Sequence, residues 1–193
     1  MHSLDHRAAL VLIDVQDGFD DPRWGVRNNT NAESNMAQLL ESWRRLDWPI
    51  FHIQHLSSEP PSPLRPEQPG SAIKAIVAPR EDEHVIQKNV NSAFIGTTLE
   101  YLLTIHGINV LVMAGLTTDH CVSTSARMAA NLGFKVVVVS DATATFDRIG
   151  PSGDLYAAEQ IHELALVSLH EEFATIVDTQ SLLTTIHAEG VCV

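Results

Sequence analysis

The chain has 193 residues, 45% of them hydrophobic and 19% charged, with a formal net charge of −12 at pH 7. That balance fits one soluble globular domain spanning 1–193 with a full core, and excludes a disordered chain. The acidic excess excludes nucleic acid and anionic membrane surfaces as partners, because both need a basic face. The two cysteines, Cys121 and Cys192, are too far apart in sequence and too few to suggest a disulfide framework. A reducing, cytoplasmic location is expected, with Cys192 a free thiol without a role. The apolar run near the start is broken by Asp14 and has no cleavage site, so neither a signal peptide nor a membrane span is expected.

In chain order, residues 7–15 form a continuous apolar run closed by Asp14, the pattern of a strand buried on both faces. A polar loop from Asp17 to Pro22 follows, and the spacing of Met36, Leu39, Leu40 and Trp43 predicts a helix over 31–45. Trp48-Pro49 leads into a second strand, 50–55. The segment 56–70 carries five prolines and reads as a lid, a pocket wall or part of a subunit interface. A third strand, 84–88, ends at Lys88. After the turn 91–96, Thr97 is expected to cap a helix that stops at Gly107.

The fourth strand, from Val110, ends at Gly115, and a short polar loop brings Cys121 to the start of a helix that stops at Gly133. The fifth strand is predicted over 134–139, with 141–145 a turn bracing the site. A helix over about 154–170, a sixth strand at 173–177 and a last helix at 179–187 complete the reading. Alternating helices with wholly apolar strands imply a three-layer, Rossmann-like α/β fold around a parallel sheet. The doubly wound order 3-2-1-4-5-6 fits best and puts the switch point between strands 1 and 4.

Asp14, Lys88 and Cys121 then meet at the carboxyl end of the sheet. An ammonium and a helix N-terminus beside a thiol are expected to favour thiolate and lower its pKa. A carboxylate within reach can take the thiol proton and pass it to a leaving amine, and the helix start offers N–H groups to an oxyanion. This combination suits acyl transfer through a thioester.

Three blocks resemble the isochorismatase-like cysteine hydrolases, a group that includes nicotinamidases, N-carbamoyl amide hydrolases and isochorismatases. They are Asp14-Val15-Gln16-Asp17-Gly18-Phe19, Lys88 with Ser92-Ala93-Phe94-Ile95-Gly96-Thr97, and Ala114 to Val122 around Cys121. The resemblance implies Cys121 as nucleophile, Asp14 as proton-transferring acid and base, and Lys88 as the stabiliser between them. It further implies a cis peptide between Leu116 and Thr117 and an oxyanion hole of the Thr117 and Cys121 N–H groups. It implies no cofactor, a small-molecule substrate with a hydrolysable C–N bond, and a homodimer or homotetramer.

Where metal-binding nicotinamidases carry an acid and histidines, this chain has His52-Ile53-Gln54-His55-Leu56-Ser57-Ser58. His52 and His55 fall on opposite faces of a strand, so no metal is expected and nicotinamide is not favoured as substrate. His120, adjacent to Cys121 on a helix, is expected to line the pocket rather than act as base. Phe19, His55, Asn91, Phe94 and His120 are the expected pocket wall. A phosphatase of the haloacid-dehalogenase type would need Asp-x-Asp after strand 1, a receiver domain a different Asp and Lys placement, and a dinucleotide site Gly-x-Gly-x-x-Gly; none is present. An idle binding protein on the same scaffold and a vinyl-ether hydrolase are the remaining alternatives.

Overall fold

The computed structural model describes residues 8–189. Its centre is β1 (Ala9–Ile13) beside β4 (Val110–Leu116), every residue of both being buried. Their partners are β2 (Ile50–His55), β3 (His84–Lys88), β5 (Lys135–Ala144) and β8 (Thr175–Val177), all parallel, in the order β3-β2-β1-β4-β5-β8. This is the doubly wound order expected from the alternating pattern, with β8 as the sixth strand of the sheet.

Period-two alternation sends successive residues of β1 to opposite sides, and that divides the core into two clusters. Leu10 and Leu12 pack with Met36, Leu39 and Trp43 of α1 (Ala32–Leu46) and with Leu182 and Ile186 of α5 (Thr179–Glu189). Ala9, Val11 and Ile13 face α2 (Leu99–Ile105), α3 (Ser123–Asn131) and α4 (Ala158–Leu169) through Leu103, Ala126 and Leu166. Both faces of the sheet are therefore covered by helices, as continuous apolar strands require. Among the described residues no helix is long and apolar enough to cross a membrane.

Two local expectations are corrected. The helix predicted from 154 begins only at Ala158, because Leu155–Tyr156 (β7) pairs antiparallel with Arg148–Ile149 (β6). Asp147 accepts a hydrogen bond from the Ala158 N–H at 2.8 Å and so caps the helix from the hairpin. The segment 141–145 is no turn: β5 continues to Ala144, with a register shift that bulges it between its pairings with Met113 and Gly115. Asp141 in that bulge accepts from the Thr179 N–H and hydroxyl at 2.8 and 2.7 Å, capping α5. Thr97 does cap α2, its hydroxyl accepting from the Leu99 N–H at 3.3 Å, although Thr98 is the residue directly before the helix. The Pro-rich segment runs as irregular chain pinned by Ser57 N–H to Leu64 C=O at 3.0 Å, with Leu64 turned inward. Cys192 lies outside the described residues.

Candidate active site

Asp14 follows β1 with φ of 52°, its N–H still bonded to the Ile53 carbonyl at 2.9 Å. Lys88 closes β3 directly opposite His55, the last residue of β2. After β4, the Leu116–Thr117 peptide is cis, and Thr118–Val122 forms one π-helical turn that leads into α3 and carries Cys121. Four strand ends thus deliver Asp14, His55, Lys88 and Cys121 to the switch point.

Gln16, which sequence reasoning quoted without a role, stitches this end of the sheet together. Its amide donates to the His55 and Ser71 carbonyls at 3.0 and 2.7 Å and accepts from the His55 N–H at 2.8 Å. The side chain stands in for a strand where the ladder stops. Its signal was its place two residues after Asp14, within reach of the next strand's last peptide.

The Lys88 ammonium lies 2.6 Å from Asp14 Oδ2, 2.9 Å from His55 Nδ1 and 3.4 Å from Cys121 Sγ. Asp14 and Lys88 side chains are fully buried, and among the described residues Asp14 Oδ1 has no hydrogen-bond partner. Cys121 Sγ is also 3.8 Å from Asn91 Oδ1. Burial raises the Asp14 carboxyl above its usual range, against the attraction and hydrogen bond of Lys88. Burial, then the Asp14 charge, raises the Cys121 thiol as well, against the pull of Lys88. This reverses the expected thiolate: in the resting site the sulfur keeps its proton, because burial of the thiol outweighs the neighbouring ammonium. Burial and Lys88 lower His55 to about 4, so its ring is neutral.

A cavity of about 440 Å³ opens above these groups. Phe19, His55, Asn91 and His120 line it. Phe94 does not: it is buried in the helix-covered core, its ring stacked 6.0 Å from that of Phe134. Trp24 takes the aromatic place instead, in a cluster with Phe19 and Phe146 at centroid distances of 5.3 and 5.7 Å. Nothing in the sequence near Trp24 marked it, since the loop that folds it inward has no periodicity. Arg148 of the hairpin also reaches the cavity and donates to Asp119 at 3.0 Å, while Thr145 donates to the same carboxylate at 2.5 Å. His120 is mostly exposed, with Nε2 3.4 Å from Asp119, and among the described residues makes no hydrogen bond to Cys121.

His52 points away from this site, its Nε2 2.9 Å from Glu83 on the opposite face of β2. His52 and His55 therefore do not form a chelating pair. Asp14, His55 and Cys121 do bring a carboxylate oxygen, a ring nitrogen and a sulfur within 4.8 Å of one another. Those are donor types for a soft divalent ion, and the Lys88 ammonium lies among them.

An isochorismatase domain model matches residues 8–181. The chain belongs to the isochorismatase family. It is 47% identical over 180 residues to the uncharacterized isochorismatase family protein YrdC of Bacillus subtilis, covering 93% of this chain and 96% of that one. A solved isochorismatase-family structure from Chromobacterium violaceum superposes with a TM-score of 0.93 at 42% identity, covering 96% of this chain and 97% of the other. Nicotinamidase 3 of Arabidopsis thaliana is 28% identical over 188 residues, covering 91% of this chain and 86% of its own. In this isochorismatase-family chain Asp14, His55 and Cys121 line the cavity, and the fully buried Lys88 lies beneath them, bonded to all three.

Proposed function

We propose that this isochorismatase-family hydrolase cleaves a C–N bond of a small amide, urea or carbamoyl compound through a thioester on Cys121. The observation that carries the reading is the buried ammonium of Lys88, held 2.6 Å from Asp14 and 3.4 Å from the Cys121 thiol, two groups that line a cavity. Similarity to a nicotinamidase supports amide chemistry, whereas the absence of an acid at the His52–Ser58 stretch argues against nicotinamide itself.

Because the thiol is protonated at rest, its proton leaves as sulfur attacks. Asp14 accepts that proton while the Cys121 Sγ–C bond forms and the carbonyl π pair moves onto oxygen. The resulting oxyanion meets the N–H groups of Thr117 and Cys121, and the Lys88 charge balances the rearranging site. Asp14 then returns the proton to the departing nitrogen as the C–N bond breaks, leaving the thioester. Water attacks next, giving its proton to Asp14, and the thiol is restored as the acid leaves. An Asp14 carboxyl with raised proton affinity suits both directions of this transfer. The Phe19 and Trp24 rings form an apolar wall that suits a flat or apolar substituent on the substrate.

The test is an ammonia- and amine-release screen over small amides, ureas and carbamoyl compounds, with Cys121→Ala as control. Release by the wild-type enzyme and its loss in a folded Cys121→Ala variant are expected. Undiminished release by that variant would overturn the nucleophile assignment, and no release from any compound would favour the binding-protein reading or a vinyl-ether substrate.

A further inference from the structure

An ammonium group has three N–H donors and no acceptor. At Lys88 all three have a partner: Asp14 Oδ2 at 2.6 Å, Cys121 Sγ at 3.4 Å and His55 Nδ1 at 2.9 Å. The first two belong to the chemistry proposed above. The third is unassigned by it, and it constrains His55 in two ways.

Nδ1 must offer a lone pair to the ammonium, so the proton of the neutral ring sits on Nε2. Burial and the adjacent positive charge keep the ring neutral, holding it at about 4. Nε2 makes no hydrogen bond among the described residues, nor is it one of their sealed and unpaired buried atoms. The side chain is 14% exposed and lines the cavity. The Nε2–H is therefore a donor without a partner among the described residues, on a ring that lines the same cavity as Cys121. The backbone of His55 is held independently, by Gln16 on both its N–H and its carbonyl, so the ring has little freedom to leave.

We propose that His55 is a positioning and specificity residue: its Nδ1 anchors the Lys88 ammonium between Asp14 and Cys121, and its Nε2–H donates to an acceptor atom of the substrate beside the scissile bond. The assignment rests on the Cys121 hydrolase reading but adds a residue and a substrate feature to it. The preferred substrates carry an oxygen or unprotonated nitrogen next to the reacting carbonyl, and analogues with CH₂ or CH at that atom bind less well. The cost of the missing acceptor falls on the substrate, because a buried donor is left unpaired.

The two roles separate with amide isosteres. Asn places its carbonyl near the position of Nδ1, so His55→Asn keeps an acceptor for Lys88 and loses the outward donor. Gln places its amide near Nε2, so His55→Gln keeps a donor toward the substrate and loses the anchor. For a substrate found in the release screen, His55→Asn should hold kcat within about threefold and raise KM about five- to tenfold, the worth of one hydrogen bond. His55→Gln should lower kcat about ten- to a hundredfold with KM nearly unchanged, as expected when a charge-assisted bond that orders the reacting groups is lost. A merely structural histidine would not divide kcat from KM this way, so equal effects of the two variants would overturn the proposal.

A second readout needs no turnover. Imidazole nitrogen NMR of the wild-type enzyme should show an unprotonated, hydrogen-bonded Nδ1 and a protonated Nε2 at neutral pH, with the Nδ1 signal shifting in Lys88→Met. A protonated Nδ1 would overturn the proposal even if the hydrolase reading stands. Conversely, turnover that survives in Cys121→Ala would remove the hydrolase reading while the tautomer result stands by itself.

Discussion

Replacing Lys88 by Met removes the charge at the centre of the site while keeping an unbranched side chain of similar length. Asp14 would then keep a fully buried carboxylate whose Oδ1 has no partner among the described residues and whose Oδ2 loses its 2.6 Å bond to Lys88. Breaking a buried ion pair from one side costs about 3–5 kcal/mol when the remaining charge stays ionised. The variant has one escape, protonation of Asp14. Both contributions of Lys88 lower the Asp14 pKa against burial, so removing them raises it further.

The sign of the pH dependence follows. An acid whose folded pKa lies above its unfolded value of about 3.9 destabilises the fold above that value and ceases to do so as pH falls towards it. The deficit of Lys88→Met should therefore be largest near about pH 8 and shrink steadily towards about pH 5, by up to about 1.4 kcal/mol per pH unit. Urea titrations followed by fluorescence of the buried Trp43 measure it, and at slopes of about 1–3 kcal/mol/M the midpoint should drop by roughly 1–3 M at the higher pH. Adding Asp14→Asn to Lys88→Met removes the stranded carboxylate and should restore most of the stability without restoring turnover. A single variant as stable as wild type at every pH, or a double variant no better than the single, would refute this account of the pair.

Two further outcomes follow from the same geometry. In a Cys192→Ser background, alkylation of Cys121 by iodoacetamide should titrate above the ordinary thiol value of about 8.5, and Asp14→Asn should lower that midpoint and speed the reaction at fixed pH while abolishing turnover, since the Asp14 charge opposes the thiolate; a higher midpoint in the variant would contradict it. Gly115→Ala should lose about 4 kcal/mol or more, or fail to yield folded protein. Gly115 has φ of 130°, and an added Cβ would lie 2.0 Å from the Ile13 carbonyl oxygen, so β1 and β4 would have to part; a urea midpoint near wild type would refute that.

Much of the fold is written in local pattern. The runs 9–13 and 110–116 are apolar at every position, and only a strand covered on both faces uses such a run. Asp14, Lys88 and Cys121 each sit at or just after a strand end, so the parallel order alone brings them to one crevice. The β6–β7 hairpin escaped because two-residue strands have no period, and the apolar positions of Leu155 and Tyr156 merge into the pattern of the helix that follows.

What only the tertiary structure decided concerns environment rather than location. Phe19, Trp24 and Phe94 are chemically alike, yet the first two wall the cavity while Phe94 is packed against Phe134, and only the path of the intervening loops separates them. His55 meets Lys88 because the register of β2 against β3 sets them side by side. The proton on Cys121 was decided the same way. From sequence, an ammonium beside a thiol argued for thiolate; in the folded chain burial outweighs that attraction, and desolvation depends on every atom packed around the sulfur.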